Sequence, residues 1–175
     1  FYIRDTLKGE TKPNRVSWLI WFLAPILASI AQWQNGSGIS SLPIFMSGFV
    51  PLLVILVSFK NPNAYWKLNV LDYICLILSL FSLISLFYFK VGFWATLFAI
   101  LADAIAFFPT YIKSWQAPDT ETVGPYYSGS FNALLALITL NVVSFNTAGF
   151  ATYLFFGNFA EIVILWVRRR TLPKL

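Results

Sequence analysis

PTYIKSWQAPDTETVGPYYSG, residues 109–129, is the longest polar interruption between apolar runs in the second half of this chain. It has a partner near the start. Shifted back by 109 positions, Tyr111-Ile112-Lys113 falls on Tyr2-Ile3-Arg4 and Thr120 falls on Thr11. The same shift carries Phe131 to Phe22, Ala133 to Ala24, Gly157 to Gly48, and Val163-Ile164-Leu165 to Val54-Ile55-Leu56. One constant offset without a gap reads as an internal duplication of a membrane unit, a common way to build transporters.

The chain has 175 residues, of which 58% are hydrophobic and 11% charged. Several runs of about 18 or more residues hold at most one charge, the length needed to cross a ~30 Å hydrocarbon core. The runs are continuous rather than alternating, which excludes a β-barrel. The fold class is an all-α polytopic membrane protein. The net charge of +5 comes from basic residues at segment ends, where they orient helices, and is no sign of nucleic-acid binding. The single cysteine, Cys75, excludes an intrachain disulfide. With no histidine, the usual zinc, haem and imidazole-base sites are absent. No cofactor, no metal and no enzymatic activity is expected.

Six transmembrane helices are predicted: 16–33, 41–59, 71–89, 93–112, 126–144 and 148–167. Six spans place both ends of this chain on one side of the membrane. Arg4, Lys8, Lys12, Arg15, Lys60, Lys67, Lys113, Arg168, Arg169, Arg170 and Lys174 then share that side, and Lys90 alone lies on the other. Such a bias marks the shared side as cytoplasmic. Under the offset, the first span corresponds to the fifth and the second to the sixth. The expected units are a first repeat at 1–59, a linker helix at 60–90 and a second three-helix repeat with a basic tail at 91–175. The counterpart of the fourth span is expected upstream of Phe1, since the only methionine is Met46. The layout is therefore a 3-1-3 repeat lacking its first helix.

The stretch at 109–129 resembles the PQ-loop motif of the PQ-loop, SWEET and SemiSWEET transporters. In that motif a Pro-Gln pair ends a cytoplasmic helix, a basic residue and often a tryptophan follow, and a Ser/Thr-rich loop leads to the next helix. Pro109, Lys113, Trp115, Thr120 and Thr122 fit, and Pro125 resembles the proline that starts the next helix. Thr110 departs from the pattern, standing where glutamine is expected. The resemblance implies a small-solute transporter working by alternating access, with sugars as substrates by the SWEET likeness and amino acids by the wider group. It also implies a substrate contact from an asparagine in the last helix. Asn158 resembles that residue, while its repeat mate is Phe49, where the family often has a second asparagine.

Four polar residues within the spans are candidates for a substrate or ion pathway: Asp103, Asn132, Asn158 and Glu161. Asp103 lies ten residues before Lys113, roughly 15 Å inside the boundary at 1.5 Å per residue. A carboxylate at that depth is costly unless it faces a cavity or carries a proton. Thr96, Ala99, Ala106 and Thr110 share its helical face, which suits close packing or the lining of a path. A hydrogen bond to a neighbouring helix is the structural alternative for Asp103. For Glu161 the alternative is an ion pair with Arg168. Gln32 and Asn141, which correspond under the offset, read as helix-end hydrogen bonders. Pro25, Pro51 and Pro109 read as hinges or as packing kinks, and the aromatic residues as lipid-facing or interfacial. A proton-binding carboxylate among these would couple transport to protons.

The expected partners are a small-molecule substrate and the lipid bilayer, with a homo-oligomer left open. A non-transporting receptor or assembly subunit on the same scaffold is the second reading, and a closed, dry interior at Asp103 would favour it.

Overall fold

The computed structural model describes residues 2–9, 13, 15–62, 64, 70–88 and 92–171. The described residues form helices and turns and no strand. The helices are α1 (Tyr2–Leu7), α2 (Arg15–Gln32), α3 (Leu42–Ser58), α4 (Val70–Phe87), α5 (Gly92–Gln116), α6 (Gly124–Ile138) and α7 (Phe145–Thr171). Four stretches are long and apolar enough to cross a membrane: Arg15–Ser58, Val70–Phe87, Gly92–Gln116 and Phe145–Thr171. The first of these contains both α2 and α3. The chain reverses between them at Trp33–Ser41, where Gly36 (φ 88°) and Gly38 (φ 52°) take the left-handed backbone that a side chain would strain. By length and composition this is a helical membrane protein.

Several helix boundaries differ from those expected. The helix expected over 126–144 ends at Ile138, and the Thr139 hydroxyl donates back to the Leu135 and Ala136 carbonyls of its last turn (2.7 and 3.1 Å). Asn141 therefore lies exposed beyond the helix. The following helix starts at Phe145 rather than Ala148, since Ser144 and Thr147 cap each other: the Ser144 N–H donates to Thr147 Oγ1 (2.9 Å) and the Thr147 N–H to Ser144 Oγ (3.3 Å). α5 runs through Pro109 and on to Gln116, so the proline does not end it. Lys90, Lys12, Lys67 and Lys174, and most of the loop expected after α3, lie outside the described residues.

Five helices close a ring, in the order α2, α3, α6, α7, α5 and back to α2. α4 packs outside it, against α5 and α2, with the Ser82 hydroxyl donating to the Ala95 carbonyl (2.8 Å). Neighbouring contacts fix the directions. Arg15 meets Ser58, and a Cβ on Gly48 would touch the Phe22 carbonyl and Ile26, so α2 and α3 are antiparallel. Asp103 meets Tyr153, Tyr111 meets Gly157 and Ser114 meets Glu161, so α5 and α7 run parallel. All described lysines and arginines accordingly sit at one end of the bundle, called the basic end below.

The ring is held by small residues. Ala24, Ala28, Ala99, Ala133, Ala136 and Ala151 are buried together with Ile44, Phe150 and Leu154. Lipid chains are as apolar as leucine, so close backbone approach over alanines, rather than water exclusion, drives such packing. The large apolar side chains left outside, such as Phe45, Leu80, Phe131 and Phe156, are the surface a bilayer would solvate.

Candidate functional site

The ring encloses a cavity of about 90 Å³. At ~30 Å³ of liquid volume per water that is room for about three waters. All five ring helices line it, through Trp21 of α2, Ser47 of α3, Asp103 of α5, Asn132 of α6 and Asn158 of α7, with Tyr2 of α1 and Glu121 at its basic end. α4 contributes nothing to it. The cavity occupies the half of the bundle toward the basic end. Beyond it the alanine-rich core fills the ring. Past that core, three hydrogen bonds tie the far ends of the helices: Gln32 Nε2 to the Thr147 carbonyl (2.7 Å), Asn146 Nδ2 to Asn35 Oδ1 (3.0 Å), and the Ser40 hydroxyl to the Thr139 carbonyl.

Asp103 lies on the cavity wall at 1% exposure. It follows Ala99 by one turn and precedes Phe107 by one turn, all on the buried face of α5. One carboxylate oxygen accepts a hydrogen bond from the Tyr153 hydroxyl (2.9 Å). No lysine or arginine pairs with it among the described residues. The hydrogen bond to a neighbouring helix and the place on a cavity, weighed as alternatives from sequence, are both present.

Asn158 is buried on α7. Its amide nitrogen donates to the Leu154 carbonyl (2.8 Å), and the side chain presses on Gly129, where a Cβ would stand 2.6 Å from Oδ1. Gly129 is thus what lets α6 approach α7 at this level. Asn132 lies about one turn further along α6 and also lines the cavity, as do Ser128 and Pro125. Pro25 and Pro51 line it from α2 and α3 without breaking either helix. Pro109 is exposed and Thr110 half-buried, and neither lines the cavity.

Glu161 is separate from this group. It is fully buried between α5 and α7, accepts a hydrogen bond from the Ser114 hydroxyl, and its second oxygen has no partner among the described residues. It does not line the cavity, nor does it reach Arg168, whose Nε donates to the Trp115 carbonyl (2.7 Å) while its guanidinium covers the Trp115 ring at 4.7 Å. Arg169 holds the 117–123 loop, donating to the Pro118 carbonyl (3.0 and 3.2 Å) and the Glu121 carbonyl (2.6 Å). Lys113 pairs with Glu121 (2.7 Å), which also accepts from the Tyr126 hydroxyl (3.1 Å). The organising loop is therefore tied to the last turns of α5 and α7 and forms one edge of the cavity.

Sequence reasoning missed the aromatic wall. Tyr2, Trp18, Trp21, Phe107 and Tyr126 all line the cavity, and their rings touch in series at centroid distances of 4.8, 5.2, 5.3 and 6.4 Å. Trp18 is 7% exposed, so it faces inward and is not an interfacial belt residue. The available signal was spacing: Trp18, Trp21 and Pro25 fall on one face of α2, and Phe107 stands four residues after Asp103.

Comparison with protein-family models, with curated proteins and with solved structures returns no match to this chain.

Proposed function

We propose that this protein is a small-solute membrane transporter of alternating-access type, with the cavity at Asp103, Asn132 and Asn158 as its substrate site. The observation that carries the reading is a cavity walled by five helices in one half of the bundle, with the other half closed by small residues and three hydrogen bonds. A transporter caught facing one side of the membrane needs that asymmetry. A receptor or assembly subunit does not need a polar cavity at the level of a buried carboxylate, and the space beside Asp103 weighs against that second reading.

The PQ-loop/SWEET resemblance and the duplicated layout belong to the same proposal. Under the 109-residue offset α2 falls on α6, α3 on the body of α7, and α1 on the last turns of α5. The packing repeats with it: α1 lies on α3 as α5 lies on α7, and the α2–α3 hairpin matches the α6–α7 hairpin. α4 has no counterpart and stands outside the ring. In this arrangement α2 to α7 make six spans, the basic end is cytoplasmic, and the cavity opens toward the cytoplasm.

Uptake of labelled sugars, amino acids and amines into proteoliposomes tests the proposal. Saturable uptake of one class, reduced in Asp103→Asn, is the expected result. No uptake across the panel by folded, inserted protein would overturn it in favour of a receptor or assembly role.

A further inference from the structure

Resting on the transporter reading, we infer that the cavity binds a small organic ammonium, its charged nitrogen against Asp103 and its carbon body against the aromatic wall. The charge balance of the lining decides the class. Among the described residues two carboxylates line the cavity, Asp103 and Glu121, and no lysine or arginine does. Glu121 is already matched by Lys113 and Tyr126. Asp103 is 1% exposed, accepts one hydrogen bond from Tyr153, and has no cationic partner among the described residues. A buried carboxylate left so calls for a positive charge or a proton, and a cationic solute supplies the charge.

The wall beside it suits an organic cation. Trp21 and Phe107 touch at 5.3 Å, and Phe107 stands one helical turn from Asp103 on the same face of α5. Aromatic faces attract ammonium groups more strongly when water is excluded. The same lining argues against other solutes. A carboxylate or phosphate on the solute would find no cationic side chain among the described residues of the cavity wall. A hydroxyl would find donors and acceptors, since Asn132 lines the cavity and Trp21 Nε1, a buried donor, has no partner among the described residues. A small primary amine that also carries a hydroxyl meets each of these groups. An amino alcohol of ethanolamine size fits this description.

Calorimetric titration of the purified full chain in detergent tests the inference, with ethanolamine as probe. Ethylene glycol serves as the neutral match, glycine as the zwitterion and sodium as the inorganic cation. Saturable ethanolamine binding is expected, with no binding of glycol or glycine and no displacement by sodium. Asp103→Asn should weaken ethanolamine roughly 30-fold or more, the scale for losing one partner of a desolvated charge pair. Phe107→Leu, which keeps the apolar volume, should weaken it about 3- to 10-fold through the lost ring face, and it decides the matter if Asp103→Asn does not fold. Glycol or glycine binding as tightly as ethanolamine, displacement by sodium, unchanged binding in a folded variant, or no ethanolamine saturation would each overturn it. Ethanolamine binding without uptake would reject transport and leave the ligand class standing. Sugar uptake without ethanolamine binding would do the reverse.

Discussion

The three hydrogen bonds at the end away from the cavity should act as the closed gate of the proposed cycle. Replacing Gln32 with leucine and Asn35 with alanine removes two of them. Gln32 Nε2 donates at 2.7 Å to the Thr147 carbonyl, and Asn35 accepts at 3.0 Å from Asn146. A typical intramolecular hydrogen bond contributes ~1 kcal/mol net, so the double variant loosens the closure by about 2 kcal/mol. Gln32 Oε1 is buried without a partner, so leucine removes an unsatisfied acceptor as well as a donor, and the loss is toward the low end. Since ~1.4 kcal/mol is tenfold in population, the state open at this end should rise roughly 10- to 30-fold. The readout is alkylation of a cysteine placed at Asn132 on the cavity wall, in a chain whose buried Cys75 is replaced by alanine. A membrane-impermeant maleimide applied from the side opposite the basic end should label the double variant faster by that factor. Equal labelling rates with and without the gate substitutions would refute the idea that these bonds close a path.

Four further outcomes follow from the geometry. Gly129→Ala puts a Cβ 2.6 Å from the Asn158 amide oxygen, so it should cost ~1–3 kcal/mol of overpacking and reduce uptake, read by thermal unfolding in detergent and by flux. Arg15→Gln cuts the bonds from Arg15 to Ser58 Oγ (3.0 Å) and to the Ser58 carbonyl (2.7 Å) that join α2 to α3. At ~1.5–3 kcal/mol for hydrogen bonds to a charged group, it should lower the melting temperature by several degrees. Arg169→Ala releases the Pro118 and Glu121 carbonyls, and the 117–123 loop should become cleavable by a Glu-specific protease acting from the basic end, while the wild type resists. Glu161→Gln keeps an oxygen for the Ser114 hydroxyl and lies off the cavity; its amide nitrogen becomes a buried unpaired donor and should cost ~1–3 kcal/mol of stability, but uptake by the folded protein should stay within about twofold of wild type, where Asp103→Asn loses it. Equal loss in both would place Glu161 on the path.

The class of fold was legible because apolar run length is a direct physical requirement of the bilayer, and α2, α3, α4, α5 and α7 fall close to their expected ranges. The misses come from local hydrogen bonding that hydropathy cannot register. Thr139 is ordinary in an apolar run, yet α6 stops before it; Ser144 and Thr147 look like turn residues, yet they cap α7. At the site, Asp103, Asn132 and Asn158 were legible because polar groups are costly in a membrane and stand out against apolar runs. Glu161 stood out for the same reason, and its separation from the other three depends on which side of α7 faces the ring. The aromatic wall was hidden because tryptophan and phenylalanine are as suited to lipid as to a cavity, and only the ring closure through the α2–α5 contact distinguishes Trp21 from Trp33, which is 62% exposed.

The cavity divides between the two proposed repeats in an unequal way. Asp103, Asn132 and Asn158 all come from the second unit, on α5, α6 and α7, whereas α2 and α3 of the first unit supply Trp18, Trp21, Pro25 and Pro51. The offset makes the contrast sharp: the mate of Asn158 is Phe49, which is 39% exposed and does not line the cavity. The units thus share packing positions, such as Ala24 with Ala133 in the alanine core, but not chemistry. In the proposed duplication the shared positions are small residues that let the helices approach, where a change disturbs every neighbour. Side chains at the cavity are less tightly enclosed than the alanine core and can diverge. The second unit then bears the charge and the amides together with Phe107 and Tyr126, while the first completes the wall with Tyr2, Trp18 and Trp21. A solute with one charged end and one apolar end is what such a divided site would hold in a single orientation, and reversing the roles, by Asp103→Leu with Trp21→Glu, should restore ethanolamine binding if only the opposition of charge and ring matters. Failure of that double variant, when folded, would show that the Tyr153 hydrogen bond to Asp103 sets the geometry as well.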